Sequence, residues 1–270
     1  MIKTVLASMT VGVAVATLTA GCGAAEATEE KPTGRPTVVL VHGAFADSSS
    51  WNGVIESLDA DGYPVVAVAN PLRGLASDAA YVRSVVESVP GPVVLAGHSY
   101  GGSVISQAAD GLPNVKALVY VASFILEAGE STGQLAAKFP GAQLGPALNA
   151  VPFPQAGGAP GDDLYIKQDQ FRRVFAADVP EDVTALMAAT QRPIAAAALD
   201  EPATKTAWKA IPSWNLVTTE DLAIPAQSMR FMGDRAKSHT MEIQASHAVT
   251  VSQPVAVADF INQAAASISS

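Results

Sequence analysis

The stretch Gly97-His98-Ser99-Tyr100-Gly101 constrains this chain more than any other. It follows the apolar run Pro92 to Ala96 and opens a segment, Gly102 to Ala109, with helical character. A strand that turns sharply into a helix at G-x-S-x-G lifts the serine hydroxyl clear of the sheet edge. Bulk two residues to either side would collide with neighbouring backbone, so Gly97 and Gly101 are small. With 21 glycines and 21 serines in 270 residues, a chance match is expected about 0.1 times, so its context matters. A strand before it and a helix after it supply that context. The helix also turns its positive dipole end toward the serine.

The sequence on either side predicts a sheet that can carry such a turn. Thr37 to Val41, Pro64 to Val68, Pro92 to Ala96 and Val115 to Val121 read as strands, with helices over Trp51 to Ala60 and Asp78 to Val89. Their β-branched, continuously apolar character fits parallel strands covered on both faces. The alternation predicts an α/β, doubly wound, mostly parallel sheet. It resumes late in the chain, with strands at Trp214 to Val217 and Thr240 to Ile243, and helices over Ala226 to Ala236 and Val255 to Ala266. Residues 37–122 and 213–270 therefore form the core. Between them, residues 123–212 read as a mostly helical cap inserted over the site. No strand is evident there, and Glu181 to Leu199 has a helical pattern. Phe124, Phe139, Phe153, Tyr165, Phe171, Phe175 and Met187 are available to line a pocket beneath it.

A serine hydroxyl needs a base, and the base needs an orienting carboxylate. His247 lies in the loop after the last strand, and Asp221 in the loop after the strand before it. Parallel strands bring both loops to the carboxyl edge, beside Ser99. Glu220 and Glu127 are the competing acids. Two backbone N–H groups would stabilise a developing oxyanion: that of Tyr100, just past the serine, and that of Ala44, after His42-Gly43, with Phe45 as the fallback. His42 reads as a prop for this loop, and His98 and His239 as structural.

Charge and cysteine usage narrow the partners. The net charge is −9 with no basic run, which argues against nucleic acid. The single cysteine, Cys22, allows neither an internal disulfide nor a cysteine metal cluster, and the four histidines show no metal-ligand spacing. No cofactor is called for. Residues 1–21 read as a signal peptide: Lys3, an apolar run from Val5 to about Ala20, then small residues. The run Leu18-Thr19-Ala20-Gly21-Cys22 resembles a bacterial lipobox, which makes Cys22 the lipidation site and residues 22–36 a flexible tether. The expected location is extracytoplasmic, anchored to a bacterial cell membrane; the alternative is simple secretion.

Four segments carry a wider resemblance: Val39 to Trp51, Leu95 to Gly102, Glu220 to Pro225 and Ser246 to Pro254. Through them the chain resembles the α/β-hydrolase superfamily, and within it small bacterial esterase-like members related to plant methylesterases and hydroxynitrile lyases. The resemblance implies that Ser99, Asp221 and His247 form a triad and that Ala44 and Tyr100 supply the oxyanion hole. It implies a small-molecule carboxylic ester as substrate and a trimmed sheet lacking the usual leading antiparallel strands. Lyase relatives carry a lysine beside the catalytic histidine, where this chain has Ala248. The alternatives are a lactonase, an amidase or a carbon–carbon lyase on the same triad, or a non-catalytic protein that uses the fold to hold a small ligand.

The anchor is directly testable. Cys22→Ser is expected to shift the protein from the detergent-extracted membrane fraction to a soluble or uncleaved form. An unmodified amino terminus downstream of Cys22, read by mass spectrometry, would mean simple secretion.

Overall fold

A computed structural model describes residues 34–155 and 158–268. The signal segment, Cys22 and tether residues 22–33 lie outside the described residues.

Six strands form the central sheet: β1 (Thr37–Val41), β2 (Val65–Val68), β3 (Val93–His98), β4 (Val115–Val121), β8 (Ser213–Thr218) and β9 (His239–Ile243). Their order is β2-β1-β3-β4-β8-β9, and every pairing is parallel. The most hydrophobic strands are central. Every residue of β3 is buried, as are all but Lys116 in β4. The edge strand β9 keeps a half-exposed pattern. This is the burial that two-sided coverage by helices imposes on a parallel sheet. The cover consists of α1 (Asn52–Ala60), which packs on α10 (Pro254–Ile268), and α2 (Leu75–Ser88), which packs on α3 (Tyr100–Ala108), with α9 (Ala226–Ala236) against β8.

Because all six strands run the same way, the loops after β1, β3, β8 and β9 gather at one edge. The loop after β1 brings Gly43 against the elbow, the Gly97–Gly101 turn between β3 and α3. A Cβ on Gly43 would stand 2.6 Å from the Ser99 Cβ. A Cβ on Gly97 would stand 2.6 Å from the Gly101 carbonyl carbon, and one on Gly101 would drive into the Val41 carbonyl oxygen. Contacts with backbone cannot be relieved by turning a side chain, so glycine is required at both elbow positions.

The segment between β4 and β8 holds strands that the mostly helical reading does not include. Helices are present: α4 (Thr132–Ala136), α5 (Leu144–Ala147), α6 (Gln168–Phe175), α7 (Glu181–Thr190) and α8 (Ala196–Asp200). With them stands a three-stranded antiparallel sheet of β5 (Leu148–Phe153), β6 (Gly161–Ile166) and β7 (Ile194–Ala195). The sequence hides these strands for a physical reason. Four of the six β5 residues are exposed, so no alternation of apolar and polar residues marks the strand. β7 is two residues long. The helix read over Glu181 to Leu199 ends at Thr190, because Pro193 disfavours helical backbone before it. Gln191 then turns its amide onto β6. Its Oε1 accepts from the Ile166 N–H at 2.7 Å, and its Nε2 donates to the Ile166 carbonyl at 2.9 Å.

Backbone bonds tie the cap to the core beside the site. Phe45 N–H donates to the Arg192 carbonyl at 3.0 Å, Ala195 N–H to the Leu72 carbonyl at 3.0 Å, and Ala248 N–H to the Phe175 carbonyl at 2.9 Å. Arg73 adds a side-chain tie, bonding Asp163 at 2.7 Å and the Pro193 carbonyl at 3.0 Å.

Candidate active site

Ser99 sits between β3 and α3 with φ 54° and ψ −126°. A non-glycine residue in this region is strained, and strain of this kind persists only where the surroundings enforce it. Here the three glycine contacts enforce it. Two hydrogen bonds assist: Ser99 N–H donates to the Val121 carbonyl at 3.2 Å, and Ser123 Oγ–H donates to the Ser99 carbonyl at 2.5 Å.

The turn delivers the hydroxyl to His247. Ser99 Oγ lies 2.9 Å from His247 Nε2, and His247 Nδ1 lies 2.7 Å from Asp221 Oδ2. A carboxylate on Nδ1 keeps the ring proton there and leaves the Nε2 lone pair facing the serine. Asp221 is held in turn. Its Oδ2 accepts from Thr218 Oγ1 at 2.8 Å, and its Oδ1 accepts from the Ala223 and Ile224 N–H groups, each at 2.8 Å. All three residues are buried, with Ser99 7%, Asp221 6% and His247 1% exposed, so solvent screens their interactions little. The rival acids point elsewhere. Exposed Glu220 accepts from Gln244 Nε2 at 2.7 Å, and Glu127 pairs with Lys209 at 2.5 Å.

The candidate oxyanion donors also meet at this point. Among the described residues no acceptor stands against the N–H groups of Ala44 and Tyr100. The fallback, Phe45, has its N–H committed to Arg192. His42 props the loop: its Nδ1–H donates to the Gly43 carbonyl at 2.9 Å, and its Nε2 accepts from the Asn70 N–H at 3.0 Å. Burial holds the His42 pKa below the ordinary histidine value. The Tyr100 side chain turns away from Ser99 and donates its hydroxyl to buried Asp78 at 2.9 Å, fixing the first turn of α3.

His98 has a sharper place than a merely structural residue. Its Nε2–H donates to the His247 carbonyl at 2.9 Å, and its ring stands 4.8 Å from the His247 ring. Phe175 meets the other ring edge at 4.9 Å. Burial, with the neighbouring His247, pushes the His98 pKa down to about 3. The ring is therefore neutral across the working pH range. His239 lies apart, stacked on Trp214 at 4.9 Å.

Sequence reasoning did not single out Asp78, Asn70, Thr218, Ser123 or Asp178. Asp178 holds Ser246, the neighbour of His247, by side-chain and backbone bonds. No local pattern marks these residues, because their partners lie 22 to 68 positions away, Thr218 excepted. Of the cap residues named above, Phe124 lines a small chamber over Ser99, Phe139 lines a hollow beside it, and Phe171 and Phe175 are packing residues. Among the described residues no group of three or more His, Cys, Asp or Glu converges as a metal ion requires.

Residues 38–260 match the alpha/beta hydrolase family. The chain belongs to that family. One similar relative is the alpha/beta hydrolase nvfD of Aspergillus novofumigatus, 27% identical over 253 residues, covering 86% of this chain and 97% of the relative. A putative chloroplastic methylesterase 11 of Arabidopsis thaliana is 32% identical over 108 residues, 35% of this chain and 28% of that protein. Among solved structures, polyneuridine aldehyde esterase superposes with a TM-score of 0.75 at 19% identity, over 85% of this chain and 98% of that one. The methylesterase MES16 from Arabidopsis gives 0.70 at 17% identity, over 86% and 99%. The protein is thus a hydrolase with an esterase-type fold.

The neutral state of His98 in this hydrolase has a consequence for acid stability. Below about pH 6.5 the unfolded chain takes up a proton that the native ring refuses until about pH 3. Stability therefore falls as pH drops through that window. His98→Gln keeps a donor for the His247 carbonyl and removes the titration. The slope of unfolding free energy against pH, from urea melts between about pH 4 and 6, is expected to decrease by about 1.4 kcal/mol per pH unit. An unchanged slope would contradict the assignment.

Proposed function

We propose that this protein hydrolyses a carboxylic ester through an acyl-enzyme on Ser99. The carrying observation is the unbroken chain Ser99 Oγ–His247 Nε2 at 2.9 Å and His247 Nδ1–Asp221 Oδ2 at 2.7 Å, at the floor of a buried chamber.

The steps follow from the geometry. Ser99 Oγ attacks the acyl carbon while its proton passes to His247 Nε2. The imidazolium so formed is offset by the Asp221 carboxylate on its other nitrogen. The carbonyl oxygen becomes an oxyanion and receives the N–H groups of Ala44 and Tyr100, whose positions are preset by the glycine-packed loop and the α3 start. Collapse of the tetrahedral intermediate expels the alcohol, which takes the proton from His247. Water then repeats the sequence on the acyl-enzyme and releases the acid. Buried Ala248 beside His247 offers none of the charge that a lysine there would bring.

Three carboxylate variants and one serine variant test the roles. Ser99→Ala is expected to fold and to lose nearly all turnover, since triad members act as a unit. Asp221→Asn is expected to lower turnover by about 10⁴, through loss of the histidine tautomer. Glu220→Gln and Glu127→Gln are expected to stay near wild type. The measurement is steady-state hydrolysis of one ester by each purified variant, with circular dichroism confirming the fold. An active Asp221→Asn beside a dead Glu127→Gln would move the acid to the loop after β4.

A further inference from the structure

The size of the site bears on what the ester carries. The chamber over Ser99 holds about 60 Å³. An enclosed water needs about 10–15 Å³ of such space, so the chamber holds a group of only about four to six non-hydrogen atoms. Clefts that bury a drug-sized ligand span about 300–1,000 Å³, so the body of any larger substrate must lie elsewhere.

Two hollows border the chamber. One holds about 420 Å³ and runs along the cap from Gly133 to Leu148. It shares five wall residues with the chamber: Gly133, Ala136, Leu144, Leu199 and Ala223. The other holds about 230 Å³ and shares only Phe45. That common wall is fixed. Phe45 is 3% exposed, its N–H is bonded to Arg192, and its ring meets Phe175 edge-on at 6.2 Å. The chamber therefore has most of its shared wall with the larger hollow, and that wall includes the half-buried side chains of Leu144 and Leu199.

The walls differ in chemistry as well. Every residue lining the larger hollow is Gly, Ala, Pro, Leu or Phe. The smaller one carries Asp47, Ser49, Ser50, Thr190 and Gln191. A charged group entering the larger hollow would lose water and find no partner, whereas an apolar chain would lose nothing. We propose that this hollow is the subsite for an extended, uncharged apolar tail of the substrate, threaded from the chamber between Leu144 and Leu199. The proposal rests on the ester-hydrolase reading.

The test is a length series read by pH-stat titration. Methyl esters of acids from two to eight carbons place the tail on the acyl side, and acetates of methyl to octyl alcohol place it on the other. A fully buried methylene is worth up to about fourfold, so kcat/KM is expected to climb about tenfold or more along at least one series. Monomethyl suberate, which ends the tail in a carboxylate, is expected to fall about tenfold or more below methyl octanoate. Ala137→Trp fills the hollow from an exposed position and is expected to bring the long-to-short ratio back toward one. Ala142→Trp serves the same end if the first variant fails to fold. Leu186→Trp, at the rim of the other hollow, is expected to leave the ratio as in wild type. Equal rates along both series would overturn the tail subsite and leave ester hydrolysis standing. So would a ratio erased by Leu186→Trp and kept by Ala137→Trp. A protein inactive on every ester and unlabelled by a fluorophosphonate would overturn both readings.

Discussion

The close approach of three backbone segments at Ser99 is the constraint on which the rest of the site depends. The ends of β1 and β3 and the start of α3 meet with no room for a Cβ at Gly43, Gly97 or Gly101. This crowding holds Ser99 at a positive φ that costs on the order of 1–3 kcal/mol. The offset comes from β3 and β4, whose buried apolar side chains anchor the turn from below. Relaxing the turn would swing the hydroxyl away from His247 and displace the Tyr100 N–H beside it. The Ser99 hydroxyl and the Tyr100 N–H are thus placed by one steric arrangement.

The histidine is held by a separate set of forces. Its ring lies between the Asp221 carboxylate and the Ser99 hydroxyl, with the Phe175 and His98 rings packed beside it. His98 contributes from inside the elbow, by bonding the His247 carbonyl. The residue next to Ser99 therefore fixes the backbone of His247, and its own ring, kept neutral by burial, brings no charge there. The cap closes the arrangement through Phe175, Asp178 and Arg192, each bonded to a loop of the core.

Legibility in the sequence followed the range of the interactions. The parallel sheet, the elbow glycines and the order of Ser99, Asp221 and His247 are written in local runs and spacings, because buried strands need continuous apolar residues and tight turns need glycine. The cap sheet was not legible, since exposed β5 carries no alternation and β7 is too short to show one. Asp78 on Tyr100 and Asp178 on Ser246 were not legible either, for they are contacts between distant segments. The bond from the Phe45 N–H to the cap's Arg192 carbonyl was not legible either, for it too joins distant segments.

The central claim is that Ser99 is an activated nucleophile rather than an idle hydroxyl in a ligand-holding fold. Covalent labelling reads this most directly. The purified protein is treated with a fluorophosphonate and its adduct mapped by mass spectrometry. The account predicts one adduct, on Ser99, formed much more slowly in His247→Ala. A folded protein that takes no adduct, or takes it on another serine, would contradict it.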